Sequence, residues 1–73
     1  MDRIFPEQIN VGDFVRIVQV FAGRGERIYS GTVTAFEDDY VTLDKRWLDE
    51  IDVHTSVAMP EVLVYRIKEA GGQ

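Results

Sequence analysis

At 73 residues and 8.4 kDa the chain is one small domain, 1–73, whose single core barely offsets the entropy of ordering it. It holds no cysteine and one histidine, which excludes disulfides, thiolate zinc sites and His-rich metal centres; neither a metal nor a cofactor is expected. A net charge of −5, from 13 acidic and 8 basic residues, argues against a generic DNA binder, the lack of any long apolar run argues against a membrane span, and the lack of cysteine fits an expected cytoplasmic setting.

Hydrophobic residues make up 45% of the chain, too many for a disordered segment, and they alternate instead of recurring every three or four positions, which predicts strands. Residues 1–10 contain Pro6 and are read as an N-terminal turn, with one short helical turn at Pro6 to Ile9. Val11-Gly12-Asp13 then launches a first strand, Phe14 to Phe21. Ala22-Gly23-Arg24-Gly25-Glu26 is a Gly-rich hairpin connection leading to a second strand, Arg27 to Phe36. Gly31 in mid-strand marks a sharp bend or bulge. Glu37-Asp38-Asp39 is a tight acidic turn before a third strand, Tyr40 to Asp44. Lys45 to Glu50 is a polar connection carrying Trp47 and Leu48. In the fourth strand, Ile51 to Val57, the residues Ile51, Val53, Thr55 and Val57 share one face, while Asp52, His54 and Ser56 share the other. Met59-Pro60-Glu61 breaks the pattern, a fifth strand runs from Val62 to Lys68, and 69–73 is a flexible tail. Short strands with short connections predict an all-β fold, a five-stranded, strongly bent small barrel of SH3-like or Sm-like type.

Two of these strands carry apolar residues on both sides. Val15 and Ile17 oppose Phe14, Val18 and Val20, and Val62 and Val64 oppose Leu63, Tyr65 and Ile67. A barrel has one interior, so the other set needs a packed loop or a neighbouring subunit. The small core tips the expectation toward self-association.

The chain is not expected to be an enzyme. His54, its one imidazole, falls on the polar face of a predicted strand, so it reads as a solvated surface histidine and not as the base of a catalytic group. The acids of Glu37-Asp38-Asp39 and Asp49-Glu50-Ile51-Asp52 are consecutive or end in a strand, so they diverge instead of converging as calcium ligands do. Gly23-Arg24-Gly25 needs no ligand to explain it, although Arg24 and Arg27 make it one of the most basic spots in the chain, with Lys45-Arg46 the other. Tyr29, Tyr40, Trp47 and Tyr65 either cap the core or offer stacking platforms for bases beside Arg27, Lys45, Arg46 and Arg66.

The stretch from Gly31 to Leu43, Gly-Thr-Val-Thr-Ala-Phe-Glu-Asp-Asp-Tyr-Val-Thr-Leu, resembles the first motif of the Sm-like family, to which the bacterial Hfq-like proteins belong. Val64-Tyr65-Arg66-Ile67 is similar to the final strand of its second motif, and Val11 to Ile17 is an opening shared with SH3-like barrels at large. Val41 and Thr42 stand where the archaeal and eukaryotic members carry a uracil-reading asparagine. The resemblance implies a homo-oligomeric ring in which the fourth strand of one subunit pairs with the fifth of the next, with Val53, Val57, Val62 and Val64 at the seam. It also implies single-stranded RNA as a partner, held by Arg24, Arg27 and Tyr40 with Lys45, Arg46, Tyr65 and Arg66. The alternative from the residues is a protein-interaction or structural module that uses Trp47 and the tyrosines, with no nucleic-acid role.

Overall fold

The computed structural model describes residues 2–45 and 50–67. Among these, six strands form one antiparallel sheet: β1 (Asp2–Ile4), β2 (Phe14–Phe21), β3 (Gly25–Glu37), β4 (Tyr40–Leu43), β5 (Ile51–Asp52) and β6 (Glu61–Arg66). A single 3-10 turn, Pro6–Gln8, follows β1, where the short helical turn is expected. The spatial order is β1-β6-β2-β3-β4-β5, so the all-β expectation holds, but the strand count is six and the sheet is open between β1 and β5.

β3 organises the architecture. Its first part, Gly25 to Thr32, pairs with β2, and its second part, Val33 to Glu37, pairs with β4. One strand therefore belongs to two layers, β1-β6-β2-β3 and β3-β4-β5. Between the layers lies the core: Ile4, Val15, Ile17, Val62 and Val64 from the first, and Val33, Val41, Leu43 and Ile51 from the second, with Ile9, Val53 and Met59 closing its ends. The bend follows Gly31, where the chain passes so close to β4 that a Cβ would lie 2.7 Å from Asp44 Oδ1. Just beyond it the register slips by one residue between Val33 and Ala35, a bulge that leaves Thr34 unpaired in the ladder. The slip flips the alternation, so Phe36 packs on the core that Val33 already faces.

The fourth predicted strand, Ile51 to Val57, is shortened to Ile51–Asp52. The Asp52 carboxylate explains this, because its Oδ1 accepts the His54 N–H at 2.8 Å and turns the backbone out of the sheet. Two residues on, Ser56 N–H donates to Met59 O at 2.9 Å and Met59 N–H to Ser56 Oγ at 3.2 Å, which makes a turn of residues that sequence alternation assigned to a strand. The fifth predicted strand is seen as Glu61–Arg66; Lys68 lies outside the described residues. β1 is an addition, three residues paired to the end of β6 through Asp2↔Arg66, Arg3↔Tyr65 and Ile4↔Val64.

Gln19 is the one buried polar side chain among the described residues, 6% exposed on the core side of β2. Its Nε2 donates to the Asp52 carbonyl at 2.8 Å. The middle of the first layer is thereby tied to the edge of the second, where no backbone ladder does so. A buried amide that is hydrogen-bonded stabilises modestly, whereas removing it leaves a carbonyl unsatisfied at about 1–3 kcal/mol.

The β3–β4 hairpin is closed by Asp38 and Asp39, both with positive φ, 50° and 66°. Paired φ values of this sign define the two-residue type I′ turn, for which Asn-Gly is the favoured pair. Aspartate at both positions is strained, and both residues line a hollow shared with Asp52. The variant Asp38→Asn/Asp39→Gly is expected to gain about 1 kcal/mol, which thermal unfolding by circular dichroism reads as a midpoint raised by roughly 4–8 °C. An unchanged midpoint contradicts the strain.

Candidate functional site

The residues expected to bind RNA are scattered. Arg24 and Arg27 sit at the β2–β3 hairpin, where Gly23 and Gly25 take φ of +70° and +84° to turn the chain. With Phe21 and Glu26 they line a concavity of about 240 Å³. The Arg27 guanidinium lies 5.7 Å from the centroid of the Phe21 ring, within cation–π range.

Tyr40 lies at the far end of β3, beside Asp38, Asp39, Asp52 and His54 around a second concavity of about 270 Å³. The part of β3 beyond Arg27, from Ile28 to Glu37, separates it along the chain from the arginine hairpin. Three carboxylates around Tyr40 repel phosphate, so this end does not continue a positive groove. Among the described residues, no group of three or more His, Asp or Glu side chains is placed to hold a metal ion, and no helix is long and apolar enough to cross a membrane.

Arg66 is engaged with the chain itself. Its Nε donates to Asp13 Oδ2 at 3.2 Å and its Nη2 to the Gln8 carbonyl at 2.8 Å, which fastens β6 to the N-terminal turn. Lys45 is exposed at the end of the described segment 2–45, and Arg46 and Trp47 lie outside the described residues. Tyr65 is half-buried on the sheet face turned away from the core.

The expected subunit seam is also altered. Val53, Val62 and Val64 are core residues, at 3%, 7% and 0% exposure, because Val62 and Val64 take the inward positions of β6 opposite Gln19 and Ile17 of β2. Val57 is 95% exposed in the turn that follows β5. The corresponding edges are short: β1 occupies β6 from Val64 to Arg66, and β5 has two residues with the Asp52 carbonyl already taken.

A different surface emerges on the outer face of β6, β2 and β3. Its side chains fall into cross-strand rows. Arg3, Tyr65, Arg16 and Ser30 form one row, and Leu63, Val18 and Ile28 form the next. Glu61, Val20 and Glu26 form the third. Val18 is only 7% exposed yet stands outside the core cluster, and Ile28 is 56% exposed. The Arg16 Nε is buried and has no hydrogen-bond partner among the described residues. An apolar row thus runs between a cationic row and an acidic one. Doubly apolar strands are visible in the sequence, but Arg3, Arg16, Glu26 and Glu61 join Val18 only once the register of four strands is known.

In comparisons with known proteins, no family model matches the chain, and neither a curated protein nor a solved structure matches it.

Proposed function

We propose that the chain is a non-enzymatic binding module built as a small, strongly bent barrel of SH3-like or Sm-like type, and that it recognises protein surfaces. The barrel reading draws support from β3, which bends to serve both layers, and from the Gln19–Asp52 hydrogen bond that ties the middle of the first layer to the edge of the second. The function rests on one observation: the outward row Leu63–Val18–Ile28, an apolar strip on the sheet face opposite the core, open to solvent chiefly at Ile28, which is 56% exposed. Burying such a strip is favourable by about 25 cal/mol per Å² of apolar surface, and a protein partner supplies the matching surface.

A second reading, binding of single-stranded RNA, is favoured by the concavity of Phe21, Arg24 and Arg27, where the Arg27 guanidinium stands over the Phe21 ring and Arg24 lines the same hollow. The net charge of −5 and the acids around Tyr40 weigh against it. Fluorescence anisotropy of labelled oligouridylate and oligoadenylate, in salt from about 25 to 200 mM, separates the two because phosphate contacts weaken steeply over such a range. The protein-interaction reading expects no binding at any salt. Binding that collapses with salt and disappears in Arg24→Ala/Arg27→Ala overturns it in favour of RNA.

A further inference from the structure

We infer that the outer face of β6, β2 and β3 docks onto the same face of a second copy of this chain, through a two-fold axis lying along the row Leu63–Val18–Ile28. The inference rests on the protein-interaction reading and names its partner. The three rows are ordered: cationic Arg3 and Arg16 on one side of the apolar row, acidic Glu61 and Glu26 on the other. Successive outward rows lie about 7 Å apart along a strand.

Face-to-face packing of two identical sheets has two simple solutions. An axis along the strands lays each row on its own copy, so Arg16 meets Arg16 and the acids meet acids. An axis across the strands keeps Leu63, Val18 and Ile28 on their own copies but reverses the direction of the strands. The cationic row then lies on the acidic row. In register, Arg16 falls opposite Val20 of the partner subunit, between the partner's Glu61 and the partner's Glu26. Arg16 is partly exposed, and its Nε, buried without an acceptor among the described residues, leaves the outer guanidinium nitrogens to meet those carboxylates. Charge complementarity thus selects the second arrangement, an isologous contact that closes at two copies.

The face is small. Three strands about 4.8 Å apart over about 20 Å of length cover roughly 300 Å², against roughly 800 Å² per partner in a standard interface. A weak dimer follows, and the test must reach high concentration.

Sedimentation equilibrium from about 10 μM to 1 mM, a range suited to a small contact, is expected to show a mass rising from 8.4 kDa toward twice that value and no further. Salt weakens the association, because Glu26 and Glu61, which the cationic row faces, are exposed. Arg16→Glu and the double variant Glu26→Arg/Glu61→Arg each weaken it about tenfold or more, since each places like charges opposite one another. Combining all three substitutions restores dimerisation, which a structural defect does not do. Thermal melts confirm that each variant is folded. A monomer at 1 mM overturns the self-docking, as does failure of the combined variant to recover. A mass beyond the dimer that ignores Arg16→Glu also overturns it, and points to pairing through strand edges. None of these outcomes touches the protein-interaction reading, which falls only to salt-sensitive RNA binding.

Discussion

Replacing Ile17 with alanine is expected to remove about 3–4 kcal/mol of stability, the cost of a lost apolar side chain plus the cavity it leaves. Ile17 has no exposed surface and is the largest fully buried side chain among the described residues. It sits in the middle of β2, paired with Tyr29 on one side and Val64 on the other, where the two layers meet. A domain of this size has roughly 4–11 kcal/mol in total, so one such cavity consumes a large share of it. Thermal unfolding followed by circular dichroism is expected to show a midpoint lowered by roughly 15–25 °C. Ile17→Val, which removes one methyl group, is expected to cost only about 1 kcal/mol. Equal effects of the two substitutions place the core elsewhere.

Gly31→Val is expected to cost about 2–4 kcal/mol, by overpacking combined with a lost hydrogen bond. No unusual φ is involved; the cause is proximity. A Cβ here meets Asp44 Oδ1 at 2.7 Å and Leu43 Cβ at 3.3 Å. The Asp44 side chain does not yield freely, because Oδ1 accepts the Thr32 N–H at 3.1 Å while the Asp44 N–H donates to the Thr32 carbonyl at 3.0 Å. These two bonds hold β4 against the bend in β3. Denaturant unfolding of Gly31→Val, Asp44→Ala and the double variant reads the coupling. The double variant is expected to lose less than the sum of the singles, since removing the carboxylate removes the clash. Strict additivity contradicts this account of the bend.

Much of the fold was legible because its signals are local. Alternation located β2, β3, β4 and β6, the glycines located the first hairpin, and Gly31 marked the bend. What escaped is not local. Three-residue β1 is held only by its partner β6, and β5 ends where Asp52 bonds to His54, a side-chain event inside an alternating pattern. The bulge at Thr34 reverses the parity of β3, so reading alternate residues from Gly31 assigns the wrong face to Phe36. Of the candidate site, Arg24 and Arg27 do come together beside Phe21, because a hairpin keeps neighbours in sequence together in space. The resemblance groups Tyr40 with them, but Ile28 to Glu37 of β3 lie between. Nothing local in the sequence shows that Arg66 is engaged, because its partner Asp13, 3.2 Å away, is distant along the chain.

The position of β2 between β3 and β6 has a consequence for how the chain is made. β2 and β3 leave the ribosome as a hairpin whose second partner has not yet been synthesised. Val18 waits for Leu63 and Ile17 for Val64, so the first layer stays incomplete until β6 emerges. Loop closure on that scale delays pairing and keeps apolar strand surface in water meanwhile. The first layer is therefore completed only once β6 has emerged, and a nascent chain stalled before Glu61 keeps the β6-facing edge of β2 unpaired.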